Sequence, residues 1–138
     1  MKVMVMDGQG GGLGRQLVGA IKAKRPDVTL LAVGTNSAAT TAMLRAGADQ
    51  PATGENAVVV GCRTADVIVG PVGIVIADAM LGEITPTMAL AVGQSRARRI
   101  LIPVNQCDNI VAGAQGQPMA RLVQCAVEAL DQLDSCSR

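Results

Sequence analysis

An apolar quartet, Val3-Met4-Val5-Met6, runs into Asp7-Gly8-Gln9-Gly10-Gly11-Gly12-Leu13-Gly14, and that run leads into Arg15-Gln16-Leu17-Val18-Gly19-Ala20-Ile21-Lys22. The order is strand, glycine loop, helix, which commits the chain to a sheet whose strands are joined by helices. Five of the seven residues from 8 to 14 are glycine, so almost no side chain separates the backbone from an approaching group. Such a loop can aim backbone N–H groups at a phosphate, and the following helix adds its positive dipole end. The same run also reads as a tight strand-to-helix turn that only packs against a neighbouring element. Both readings are open on the sequence.

The dinucleotide fingerprint G-x-G-x-x-G does not fit from Gly8, because its third glycine position holds Leu13. The register Gly8-x-x-x-Gly12-Leu13-Gly14 fits better and resembles the glycine loop of short-chain dehydrogenases. Leu13, Leu17 and Ile21 share one face of the helix, while Arg15, Lys22 and the nearby Arg25 can reach water. That family's catalysis resembles a Tyr and Lys working as a pair, and this chain has no Tyr.

A chain of 138 residues is expected to form one domain with one core, here residues 1–134 with a frayed tail at 135–138. It is 49% hydrophobic, with no Phe, Tyr, Trp or His and a mean hydropathy of +0.36. The core must therefore be Val, Ile, Leu, Ala and Met, which suits a parallel sheet covered by helices. The apolar surplus predicts a homo-oligomer. A net charge of +1 gives no electrostatic argument for a nucleic-acid or membrane partner, and neither is expected. Arg96, Arg98 and Arg99 read as a solvated helix end. No signal peptide is visible, and the longest apolar run, residues 67–77, is interrupted by Gly70, Pro71 and Gly73 and falls far short of the ~20 residues that cross a bilayer. The expected setting is cytoplasmic. Cys62, Cys107, Cys125 and Cys136 have no CxxC spacing and read as free thiols, with no metal site.

Continuous apolar runs and turn residues predict strands at 2–6, 28–33, 50–52, 66–70, 99–104 and 109–112, and helices at 13–24, 37 to 45 or 46, 55–64, 74–81, 85–95 and 119–133. Ser37 is expected to cap the second helix and Thr85-Pro86 to open the fifth. The alternation predicts a Rossmann-like, doubly wound α/β fold: a mostly parallel sheet of five or six strands with helices on both faces.

In open α/β sheets ligands bind beyond the carboxyl ends of the strands. Those ends carry Asp7 with Gly8, Gln9, Gly10, Gly11, Gly12, Leu13 and Gly14; then Gly34, Thr35, Asn36 and Ser37; then Gly70, Pro71, Val72 and Gly73; then Asn105, Gln106 and Cys107. The second group decides between cofactors. An NAD site places Asp or Glu about 20 residues past the loop, and no acid stands there. Thr35, Asn36 and Ser37 could instead meet a 2′-phosphate with help from Arg45, so NADP is favoured over NAD, or these residues only cap a helix. Acid–base work would fall to carboxylates, Cys or Lys. Asp7 could orient the loop, bind a metal through phosphate, or satisfy loop N–H groups. Glu55 and Glu83 sit in glycine-flanked turns and read as first-turn helix charges. Cys107, just past a strand end, is the best-placed thiol for nucleophilic chemistry, or it is a buried structural one. Asp7, Glu55 and Cys107 are the catalytic candidates.

Taken together, the glycine run with Gly34-Thr35-Asn36-Ser37-Ala38-Ala39-Thr40, Ala46-Gly47-Ala48-Asp49, Ala52-Thr53-Gly54-Glu55-Asn56-Ala57-Val58, Gly70-Pro71-Val72-Gly73-Ile74-Val75 and Ile102-Pro103-Val104-Asn105-Gln106-Cys107 resembles a family of short Rossmann-like bacterial proteins grouped as a domain of unknown function. The resemblance spans nearly the whole chain. It implies the fold and a bacterial, cytoplasmic setting, and it supplies no catalytic residues. The residues themselves point to a nucleotide or other phosphate-bearing small molecule as ligand. They fit a minimal NADP-dependent oxidoreductase, or alternatively a non-enzymatic nucleotide sensor or partner subunit that acts through a homo-oligomer interface.

Overall fold

The computed structural model describes residues 1–104 and 108–135. Five strands form one sheet in the order β3-β2-β1-β4-β5: β1 (Lys2–Asp7), β2 (Thr29–Gly34), β3 (Gln50–Thr53), β4 (Val67–Pro71) and β5 (Arg98–Ile102). Every pairing is parallel. The helices are α1 (Gly12–Lys24), α2 (Ser37–Arg45), α3 (Glu55–Thr64), α4 (Pro86–Gln94) and α5 (Met119–Ser135), with a 3-10 turn at Val72–Val75. The chain runs outward from β1 to β3, then returns to lay β4 on the other side of β1. The strand order reverses between β1 and β4, which is the switch point where ligands bind in open α/β sheets.

The central strand β1 is buried from Val3 to Asp7, as expected of a strand covered on both faces. Its alternate side chains feed two cores. Val3 and Val5 pack with Leu17, Ile21, Leu30 and Leu130 under α1, α2 and α5. Met4 and Met6 pack with Val58, Ile68, Ile74 and Val92 under α3 and α4. Met4, Met6 and Met43 are fully buried, so unbranched thioethers fill space that rings occupy in other folds. Burying each such side chain contributes about 1.5–3 kcal/mol.

Most predicted elements form within two residues of their expected ends, including the edge strand β3, where Pro51 is tolerated because an edge strand has an unpaired side. Four expectations fail. Residues 74–81 do not form a helix: the 3-10 turn stops at Val75, and Asp78, Met80 and Leu81 take left-handed backbone with φ of 68°, 58° and 57°. Residues 109–112 form no strand, only an isolated bridge at Asn109. Asn36, not Ser37, caps α2, its Oδ1 accepting the Ala39 N–H at 2.9 Å. Arg45 ends that helix, roughly 12 Å along the axis from its start by helical rise, so it cannot assist Asn36. The 135–138 tail lies outside the described residues save for Ser135, which closes α5. Among the described residues, no helix is long and apolar enough to cross a membrane.

Opposite the switch point, Arg25 at the C-terminal cap of α1 is bonded to Asp27 (3.0 Å), Asp131 (3.4 Å) and Asp134. This ties the end of α1 to the last turns of α5. Hydrogen bonding to Asp27 raises the Arg25 pKa against the opposing effect of burial, and Asp134 adds to the rise.

Candidate functional site

The carboxylate of Asp7 ends β1, 5% exposed, and organises the loop after it. Its Oδ1 accepts the Gly8 N–H at 2.8 Å and its Oδ2 the Gly14 N–H at 2.7 Å. Gly14 is the third residue of α1, so Asp7 serves as the cap that Gly11, with no side chain, cannot supply. Burial pushes the Asp7 carboxyl above its ordinary range, its two amide bonds pull it down, and the charge of Glu83 pushes it up. Of the three roles open to Asp7 on the sequence, satisfying loop N–H groups is the one its contacts match.

The other loop amides divide into two sets. The Gln9 N–H donates to Glu83 Oε1 at 2.8 Å, Gly11 to the Gly8 carbonyl at 2.9 Å and Arg15 to the Gly11 carbonyl at 2.9 Å. The N–H groups of Gly10, Gly12 and Leu13 have no acceptor among the described residues. Gly12 and Leu13 open α1, so their amides also carry the positive end of its dipole. All three residues line a cleft of about 490 Å³. The loop from Asp7 to Leu13 forms one wall and residues 78–81 another; Pro71 lies at the end of β4, and Val104, Asp108 and Met119 close the far side. The acidic side chains on this lining are Asp7, Asp78 and Asp108, with no Lys or Arg among the described residues.

The expected binding residues therefore separate. Gly8, Gln9, Gly10, Gly11, Gly12, Leu13 and Pro71 line the cleft. Gly14 lies behind it, where a Cβ would stand 2.8 Å from the Asp7 Cβ. Gly34, Thr35, Asn36 and Ser37 do not line it, nor do Gly70, Val72 and Gly73. Gly70 is pressed on β1, with the position of a Cβ 2.5 Å from the Met6 carbonyl oxygen. Asn105 and Cys107 lie outside the described residues. Glu55, a catalytic candidate, instead accepts the Thr85 hydroxyl at 2.6 Å, steadying the cap of α4 away from the cleft. Cys62 is buried, which pushes its thiol up to about 11 and keeps it protonated.

The end of β2 is the main correction to the sequence reading. An acid does stand there, and it comes from a distant segment. Glu83 Oε1 accepts the Thr35 hydroxyl at 2.6 Å and the Asn36 Nδ2 at 2.9 Å, besides the Gln9 amide. Asn36 Nδ2 also donates to the Gln9 carbonyl at 2.9 Å, so both ends of its amide are engaged. Burial acts to raise the Glu83 pKa, yet Thr35, the Gln9 amide and Asn36 together outweigh it and hold the carboxyl below the ordinary range. Thr35 and Asn36 are not free donors awaiting a 2′-phosphate. Glu83 is also no first-turn helix charge, since α4 begins at Pro86. Sequence separation hid this contact. Of the left-handed residues Asp78, Met80 and Leu81, which form a wall of the cleft, only Asp78 is of a type that favours turns, and Met80 and Leu81 carry no such signal.

A dodecameric FMN-dependent UbiX-like decarboxylase from Escherichia coli O157:H7 is similar to this chain, with 18% identity over 97% of this chain and 94% of that one and a TM-score of 0.47. Among curated proteins, none matches the chain in sequence. A family model matches residues 2–135, and the chain belongs to that family, described as Domain of unknown function (DUF3842).

Proposed function

We propose that the protein binds a phosphate-bearing small molecule of the nucleotide class at the β1–β4 switch point, its phosphate on the amides of Gly10, Gly12 and Leu13. The observation that carries this reading is a set of three residues lining one cleft beside the start of α1, whose N–H groups have no acceptor among the described residues. A helix N-terminus with free amides favours an anion without any cationic side chain. NADP remains one member of this class. The argument that favoured it over NAD rested on an acid-free β2 end, and Glu83 removes that argument.

The test is calorimetry against NADP(H), NAD(H), ATP, GTP, FAD and FMN, with Gly12→Asp as the control variant. A Cβ at Gly12 meets nothing within 4 Å, so the variant fits, and an acid in the first turn favours the helix. Its carboxylate would compete for the same amides. Expected is binding to the wild type, lost at least tenfold in Gly12→Asp with no loss of thermal stability. No binding to any of these ligands overturns the reading.

A second reading is a ligand-binding subunit that signals by assembly rather than turnover. Leu81 and Met119, both on the cleft lining, are exposed apolar side chains, and apolar surface shared at the mouth of a cleft favours a covering partner surface. A ligand-dependent change in mass by light scattering, with no chemical change in the ligand, favours this reading over an oxidoreductase.

A further inference from the structure

The segment between the 3-10 turn and α4 crosses the carboxyl edge of the sheet from the end of β4 to the end of β2. Its two side chains Met80 and Glu83 land on the β2 side of the glycine loop. A Cβ at Gly8 would lie 2.7 Å from Thr35 Oγ1, 2.8 Å from Met80 Sδ and 2.9 Å from Glu83 Oε1. No room is left between the loop and the end of β2. The segment is also tied down. Asp78 N–H donates to the Ile84 carbonyl at 2.7 Å, Ile84 N–H to the Ala79 carbonyl at 3.1 Å and Gly82 N–H to the Asp78 carbonyl at 3.0 Å. Ile84 itself is fully buried.

A dinucleotide on a sheet of this order straddles the switch point, one nucleotide over the end of β2 and the other over the β4 side. In this protein the first of those places is filled by protein, and among the described residues the open cleft is lined by the glycine loop, Pro71 and the side beyond it, with no residue from the end of β2. We infer that the site admits a single nucleotide unit, a mononucleotide phosphate ester, and rejects dinucleotides. This rests on the glycine loop being a phosphate site, and it narrows the ligand class that reading allows.

The experiment compares each dinucleotide with its own halves by calorimetry on the full chain: NAD+ against AMP and nicotinamide mononucleotide, and FAD against FMN. The expected result is that at least one half binds and does so at least tenfold more tightly than its parent dinucleotide. Met80→Ala with Glu83→Ala should then narrow that gap, raising dinucleotide affinity relative to that of the mononucleotide. A parent dinucleotide that binds wild-type protein as tightly as its halves overturns this inference and leaves the phosphate site standing. Absence of binding by every one of these compounds overturns this inference, and absence of binding by ATP, GTP and NADP(H) as well overturns the phosphate site. Should the double variant fail to fold, the wild-type comparison alone decides.

Discussion

Glu83 accepts the Thr35 hydroxyl at 2.6 Å across 48 residues of sequence, fastening the segment that follows β4 to the end of β2. The same oxygen accepts the Gln9 amide and Asn36 Nδ2, so one carboxylate joins three pieces of chain. Glu83→Ala leaves all three donors without that acceptor. The expected cost is about 1–2 kcal/mol, given that hydrogen bonds to charged groups contribute about 1.5–3 kcal/mol and that water can replace part of them here. Glu83→Gln keeps an acceptor oxygen and should lose roughly half as much. Urea denaturation of the two variants checks the ranking; equal stability for Glu83→Ala and wild type would show that the contact holds nothing.

The two carboxylates bonded to the glycine loop respond to acid in opposite senses. Glu83 is held below its ordinary range by its three donors, so the folded state binds fewer protons there than the unfolded chain. Its contribution is fully present above the unfolded value of about 4.3 and fades as pH falls through the lower folded value. Asp7 is raised by burial, so its contribution is present in acid and is lost as pH rises through the folded value. Between about pH 5 and 3 the two partly cancel. Glu83→Gln should therefore flatten the loss of stability in acid, and Asp7→Asn should steepen it. Thermal melts across that range read the slopes; parallel curves for both variants and wild type would remove the coupling.

Gly12 and Gly70 are glycine in opposite surroundings. Gly12 is helical with nothing within 4 Å of a Cβ, whereas a Cβ at Gly70 would stand 2.5 Å from the Met6 carbonyl oxygen, a backbone atom that cannot swing away. Gly12→Ala should stabilise by roughly a few tenths of a kcal/mol, because Gly12 is the first residue of α1 and feels only part of the helix-interior preference. Gly70→Ala forces β4 away from β1 at the centre of the sheet and should cost about 1–3 kcal/mol or prevent folding. Opposite signs in denaturant titrations are the expected outcome, and a neutral Gly70→Ala would contradict the packing.

The strand–loop–helix reading of residues 2–24 succeeded because local chemistry decides it: β-branched and thioether residues, then glycine, then apolar residues at helical spacing. Thr85 and Pro86 marked the start of α4 for the same reason, and the Thr85 hydroxyl does accept the Met88 N–H. The cleft was half legible. Its glycine wall is local in sequence, while its second wall is made by Asp78, Met80 and Leu81 in left-handed backbone. Met80 and Leu81 are good helix formers, so their residues read as a helix; Ile84 buried beneath them and the turn hydrogen bonds override that preference. The acid at the end of β2 was invisible because distance along the chain says nothing about which loop returns there.

Asp78 gives the most direct probe of how charge acts on the cleft. It lines the cleft together with Asp7 and Asp108, and no described cationic side chain offsets them. A bound phosphate therefore feels the amides of Gly10, Gly12 and Leu13 as attraction and these carboxylates as repulsion. Asp78→Asn removes one negative charge and suits the local backbone, because Asn tolerates the left-handed conformation that Asp78 adopts at φ 68°. Across a solvent-filled cleft one unit of like charge costs about 0.5–1 kcal/mol, so affinity for a mononucleotide should rise about two- to fivefold. The gain should shrink at high salt, since the cleft is open to solvent and screening acts on it. Glu128→Gln, which makes the same change of charge on α5 near Arg121 and off the cleft lining, serves as the control and should leave affinity unchanged. Calorimetric titrations of AMP or FMN at two salt concentrations measure both effects, and an Asp78→Asn protein that binds more weakly than wild type would place Asp78 among the groups that hold the ligand rather than those that repel it.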